Sequence, residues 1–329
     1  MTRKNTLTVR LQDWYQMDNL CRKPISICIL LFLALFCTLL LFVGGPGSDS
    51  LRSFRYVWGV GHLVCFALWA YLYVNWRSDR SFKRLLLEIV LLTFFFGGLT
   101  ELIQAEIGRE ATWQDLGNDL VGGLLTVVFF SRSRKDLSLW TLKFLQVPVL
   151  FMVLWSLLPV GQVVIDDIIA WRQFPQLSGF ETSLEKKRWG GSAKREINNE
   201  VYFSGHSSLQ ISLTTQRYSG IGLKDFPKNW AEYSAVSLQV FNPDQEPLQL
   251  HFRIHDQSHR AHKNAYSDRF NASFKIKSGW NHLQVPLAKV AQAPKGRLLD
   301  LTRIAGMGVF IGKLDKPRTI YLDDVKLIR

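Results

Sequence analysis

Hydrophobic positions follow two different rules along this chain. Up to residue 171 they come in near-continuous runs: Ile25 to Val43, Val57 to Trp76, Leu85 to Ile103, Leu116 to Phe130 and Phe144 to Val164. As helices, runs of roughly 20 residues match the hydrocarbon thickness of a bilayer, so five transmembrane helices are predicted, the fourth short and polar at its start. From Phe180 the rule changes to alternation, as in Leu209, Ile211, Leu213; Val236, Leu238, Val240; Leu248, Leu250, Phe252, Ile254; Leu283, Val285, Leu287; and Ile320, Leu322. Period two, interrupted by turn residues such as Asn242-Pro243-Asp244 and Ser278-Gly279, predicts antiparallel strands. Many short strands in about 150 residues predict a sandwich. The fold class is therefore an α-helical membrane bundle plus an all-β jelly-roll sandwich. The transmembrane domain is placed at 1–171, a linker with Pro175 at 172–178, and the sandwich at 179–329.

Charge adds an orientation. Of the net +13, residues 1–171 carry 16 basic against 13 acidic side chains, and the remainder 24 against 14. Arg77, Arg80, Lys83 and Arg84 follow the second run, and Arg132, Arg134, Lys135 and Lys143 the fourth, which marks those loops and the basic N-terminal tail as cytoplasmic. The loop after the third run is net acidic (Glu106, Arg109, Glu110, Asp115) and fits the outside. Five spans then put the sandwich outside as well, on a multi-pass protein of the cytoplasmic membrane. The first run is too long for a signal peptide, and the GGPGSDS after it offers no small-x-small cleavage site. Cys21, Cys28, Cys37 and Cys65 show neither metal spacing nor a disulfide frame. The basic second half suits acidic glycans or lipid head groups; it carries no nucleic-acid motif, and a nucleic-acid partner is not expected.

Candidate chemistry in the first half concentrates at residues 101–123. On helices, Glu101 and Gln104 share one face, and Asp115, Asn118 and Asp119 share another. His62 lies at the same depth, and Arg109 between the two faces is suited to clamp a carboxylate or phosphate. Gly59, Gly61, Gly97, Gly98, Gly122 and Gly123 permit close helix approach. Two readings stay open: a functional pocket, or polar groups that pair with one another and cap helices at a wet interface. An H, then E-x-x-Q, G-R, a D six residues on and paired glycines resemble the VanZ-like family of bacterial membrane proteins over about residues 25–131. Asp119 stands where that family usually has Asn, with Asn118 just before it. The resemblance implies a cell-envelope role, and in some members glycopeptide tolerance, without a settled reaction. If a reaction occurs, His62 with Glu101 or Asp115 would supply acid and base, with Gln104, Arg109, Asn118 and Asp119 binding a lipid-linked sugar phosphate.

In the second half, GFE at Gly179, GHSSLQISL from Gly205, GWNHLQVPL from Gly279 and IYLDDVKL from Ile320 resemble carbohydrate-binding modules of the galactose-binding-like jelly-roll group. That resemblance implies an envelope glycan or lipid-linked saccharide as partner, beside membrane lipid. It also implies a structural calcium between Glu181 and Asp323 or Asp324. The densest polar stretch runs from Arg253 to Asn271. His255, His259 and His262 with Asp256 would need a helix to ligate metal, whereas the flanks alternate like strands. Arg253, His255, Asp256, Arg269 and Asn271 instead suit a sugar site, with Trp230, Tyr266 or Trp280 as a stacking face, although Trp280 also fits a core.

Overall fold

The computed structural model describes residues 26–46, 50–107 and 112–329. These divide into a helical unit reaching Val160 and a second unit from Gly161 onward, which the short segment around Arg52 and Ser53 joins. The helices are α1 (Ser26–Phe42), α2 (Arg52–Gly59), α3 (Gly61–Trp76), α4 (Phe82–Glu106), α5 (Trp113–Phe130) and α6 (Leu139–Gln173).

Among the described residues three stretches, Arg52–Trp76, Phe82–Glu106 and Leu139–Gln173, are long and apolar enough to cross a membrane. The five expected spans are all helical where described, but α1 is shorter, and the 18 residues of α5 include Asp115, Asn118 and Asp119 in its first two turns. Those polar groups cost α5 its span-like character. Thr112 caps α5, its side chain accepting from the Asp115 amide at 3.0 Å, and Asp115 in the first turn complements the helix dipole. Against α3, a Cβ on Gly122 would sit 2.3 Å from the Leu63 carbonyl, so the two backbones meet only because that position is glycine. Thr126 Oγ1 donates to the Ala67 carbonyl across the same seam at 3.0 Å. Ala70, Val74, Ile89 and Val127 fill the interior, while Phe32, Phe95, Leu102 and Trp155 face outward. An apolar exterior is what hydrocarbon, rather than water, solvates well.

The second unit is an antiparallel β-sandwich. Its strands are β1 (Gln176–Ser178), β2 (Trp189–Gly191), β3 (Lys194–Asn198), β4 (Ser208–Leu213), β5 (Tyr218–Leu223), β6 (Ala235–Asn242), β7 (Leu248–Asp256), β8 (Phe270–Ile276), β9 (Gly279–Pro286), β10 (Ile304–Gly312) and β11 (Arg318–Ile328). One sheet runs β3-β4-β11-β6-β9 with β1 beside β11; the other runs β2-β5-β10-β7-β8. Alternate residues of each, such as Leu209, Ile211, Val236, Leu238, Leu250, Phe252, Val309 and Ile320, fill the space between them with Trp189 and Trp230.

Residues 172–178 differ from the expected linker. Helix α6 continues to Gln173, and after Pro175, which cannot extend it, β1 pairs with β11 (Gln176 opposite Lys326, Ser178 opposite Val325). Within this unit a buried ion cluster ties the end of α6 to the sandwich. Arg188 grips Asp166 through Nε at 3.0 Å and Nη2 at 2.8 Å, and Arg52 Nη1 reaches the same carboxylate at 2.8 Å.

Candidate functional site

Two constellations emerge, one on each unit. On the sandwich, Leu250, Phe252 and Ile254 of β7 point into the core, so His251, Arg253 and His255 stand on the outer face. Pairing sets Gly190, Gly222, Gly308, Arg253 and Asn271 side by side across β2-β5-β10-β7-β8. The adjacent row holds Gly220, Phe310, His251 and Ser273. The β10 glycines let the β7 side chains lie flat. A Cβ on Gly306 would come within 3.0 Å of His255 Cε1, and one on Gly308 within 3.5 Å of Arg253 Nε. The Arg253 guanidinium lies 5.8 Å from the Phe310 ring centroid, and the His251 and Tyr218 rings lie 5.3 and 6.1 Å from it. Beside them Arg269 Nε donates to Asn271 Oδ1 at 2.9 Å, and the Arg269 guanidinium covers exposed Tyr266. Planar donors and aromatic faces therefore share a glycine-floored strip.

His255 is the least satisfied member. Its Nδ1 is buried without a hydrogen-bond partner among the described residues. Burial first, then the neighbouring His259 and Arg253, push its imidazole down to about 4. An imidazole held neutral while the unfolded chain protonates near 6.5 removes stability as pH falls from about 6.5 to about 4. Proton NMR titration is expected to show the His255 imidazole still neutral at pH 5; a midpoint near 6.5 would mean its site is wet and open. Burial, then the Arg269 charge, likewise lowers the Arg253 guanidinium.

Other expected sugar contacts lie elsewhere. Asp256 is buried, and its carboxylate takes Arg297 Nη2 at 2.9 Å together with the amides of His259 and Asp300 at 3.1 and 2.9 Å. It has been drawn inward by a cation the sequence pattern did not advertise. Trp280 stands on β9 in the other sheet, against Phe203 and Phe241 at 5.4 and 5.2 Å, and Trp230 is core. His259 is buried against Asp268, and His262 is exposed, so the three histidines do not converge as ligands.

The acids expected at calcium hold a loop instead. Glu181 accepts the His206 amide at 3.0 Å, Asp323 accepts those of Phe203 and Ser204 at 2.7 and 3.0 Å, and Asp324 pairs with Lys326 at 2.7 Å.

In the helical unit the structure brings together His62, Glu101, Gln104, Asp115 and Asp119. His62 Nδ1 pairs with Asp119 Oδ1 at 2.9 Å, and His62 Nε2 faces Glu101 Oε1 at 3.9 Å. Glu101 Oε2 accepts the Thr112 amide at 2.8 Å, Gln104 Nε2 donates to the Leu41 carbonyl at 2.9 Å, and Asn118 turns to the Gly59 carbonyl. A Cβ on Gly97 would lie 2.7 Å from Asp119 Oδ2, so that glycine makes room for the buried carboxylate. Arg109 lies outside the described residues. Further along α3 and α4 an apolar cavity of about 580 Å³ is lined by Leu41, Cys65, Trp69, Phe96 and Thr100.

Fold and sites together define a helical protein with membrane-length apolar segments joined to an antiparallel β-sandwich. A family 11 carbohydrate-binding module from Clostridium thermocellum, in complex with a β-1,3-1,4-mixed-linked tetrasaccharide, is 19% identical, covering 46% of this chain and 94% of its own, with TM-score 0.37. The family 11 module of the cellulosomal cellulase Lic26A-Cel5E of the same organism is 16% identical over 46% of this chain and 92% of its own, at 0.34. An exo-β-agarase matches at 14% identity over 46% of this chain and 24% of its own, at 0.36. No protein-family model matches the chain, and no curated protein does. The sandwich itself is established by its strand pairing.

Proposed function

We propose that this chain is a bacterial cell-envelope membrane protein whose sandwich, on the extracytoplasmic side, binds a glycan on the outer face of β5, β10 and β7. The observation that carries this is the glycine-floored strip itself, on which the flat guanidinium of Arg253, the imidazole of His251 and the rings of Phe310 and Tyr218 lie side by side. Loop charges support the orientation, and the order of His62, Glu101-x-x-Gln104, Asp115 and Gly122 supports the VanZ-like reading of the helical unit.

Titration of the full chain in detergent with a panel of neutral and acidic oligosaccharides tests the binding. Arg253→Ala is expected to weaken the retained ligand about 10- to 100-fold, the worth of charged hydrogen bonds. Trp280→Ala, on the opposite sheet, is expected to leave it unchanged. Equal loss in both would assign the binding to neither face.

A second reading is favoured by the cavity. Leu41 gives its carbonyl to Gln104 and its side chain to the cavity wall, so a polar pocket adjoins an apolar one. That pairing suits the head and tail of a lipid-linked saccharide bound, or processed, within the helical unit.

A further inference from the structure

The helical unit holds an arrangement the glycan reading does not use. His62, Glu101 and Asp115 each offer a ligand atom, and these atoms lie within 4.8 Å of one another. We propose that they bind a divalent first-row transition metal of the zinc or manganese class, with Asp119 as the positioning residue behind His62.

Four observations converge on this. Asp119, fully buried, fixes the His62 ring through Nδ1 at 2.9 Å, which leaves the Nε2 lone pair between Glu101 and the Gln104 amide, whose Nε2 lies 3.4 Å away. A carboxylate behind the far nitrogen of a ligating histidine is how metal sites set tautomer and ring orientation. Next, His62 Nε2 and Glu101 Oε1 are 3.9 Å apart, too far for a hydrogen bond, yet an ion about 2.0–2.2 Å from each spans the gap. Glu101 Oε1 is also without a hydrogen-bond partner among the described residues, on a side chain nine-tenths buried, while Oε2 is anchored by the Thr112 amide. Finally, Asp119 Oδ2 and the fully buried Gln104 Oε1 are unpartnered among the described residues as well, so the residues around His62 carry more acceptors than donors. A cation answers that excess of acceptors; a tighter internal network would have paired them.

The donor set selects the class. One imidazole with two carboxylates is harder than the thiolate sites of structural zinc and softer than the all-oxygen sites of calcium. Asp115 is half-buried where the other two are buried, so it forms the open side of the site. Three protein ligands leave room for a water or a substrate oxygen, as in catalytic rather than structural zinc.

The test uses the full chain in detergent, purified by a tag free of histidine, stripped with chelator and titrated with Zn²⁺, Mn²⁺ or the visible probe Co²⁺. The expected result is one equivalent bound per chain, with cobalt d–d absorption that Glu101→Gln abolishes. Glu101→Gln keeps an oxygen for the Thr112 amide, so the fold is expected to persist, checked by an unchanged melting profile. Asp119→Asn is expected to weaken affinity about 10- to 100-fold without changing stoichiometry. Stoichiometric metal retained by Glu101→Gln, or no binding by wild type to any of the three ions, overturns the proposal. Binding that only His259 or His262 substitution removes overturns it too, because the ion would then sit on the sandwich.

Discussion

Replacing Asp166 by alanine is expected to cost the second unit about 3–5 kcal/mol, the usual price of stranding a buried charge. Arg188 and Asp166 are each 1% exposed, and the guanidinium reaches Asp166 through both carboxylate oxygens and its backbone carbonyl while Nη1 contacts the Leu177 carbonyl. Arg52 adds a second guanidinium on the same carboxylate. Removing the shared anion takes the carboxylate from buried Arg188 and sets against it the like charge of Arg52, which also faces Asp225 at 3.8 Å. Thermal unfolding of the full chain in detergent should register a fall on the order of 10 °C for the sandwich transition. Neighbouring Asp167, whose Oδ2 accepts the Ser53 amide at 2.9 Å, supplies the control: its alanine variant should lose about 1 kcal/mol. Equal effects at the two positions would show that the cluster is replaceable.

Arg297 is the second position with a large expected effect. It reaches Asp268 through Nε at 2.6 Å and Nη2 at 2.8 Å, and Asp256 through Nη2 at 2.9 Å, fastening the loop after β7 to the segment before β10. For Asp268, the Arg297 hydrogen bonds outweigh burial and hold the carboxyl well below its usual range. Burial alone would raise Asp256, but Arg297 and the Asp300 amide hold it down as well. The two acids in turn push Arg297 up. The carboxylates' stabilisation is fully present above the unfolded value near pH 4 and is lost as pH falls through their depressed folded values. Arg297→Ala should therefore cost about 3–5 kcal/mol at pH 7 and flatten the acid limb of the stability curve. Arg297→Lys should recover little, since one ammonium cannot span two carboxylates with a fork. An unaltered acid limb in Arg297→Ala would mean other carboxylates set the acid stability.

The sequence carried the strands whose outer residues are polar. β4, β6, β7 and β11 alternate visibly, and Asn242-Pro243-Asp244 and Ser278-Gly279 fall at the turns expected of them. β5 and β10 were not legible, because YSGIGL and IAGMGVFIG alternate apolar residues with glycine and so show no polar phase. Those two strands make the floor of the proposed sugar site. Phe310, His251 and Tyr218 consequently escaped notice, and the one available signal was glycine recurring at every second residue. Trp280 misled for the converse reason: period two tells which residues share a face, not which sheet the strand joins. In the helical unit, spacing alone grouped Glu101 with Gln104 and Asp115 with Asp119, and the paired glycines pointed to close approach. The Asp119 to His62 bond depends on the depth at which α3 meets α5, which one-dimensional spacing does not encode.

On the proposed function, a sugar lies on the outer face of the β2-β5-β10-β7-β8 sheet. A structure of the full chain with the tightest oligosaccharide from the panel tests it most directly. The expected result is a sugar ring over Gly222 and Gly308, with hydroxyls in hydrogen-bond reach of Arg253. A ligand seated on the sheet that holds Trp280, or a bare strip at saturating ligand, would contradict it.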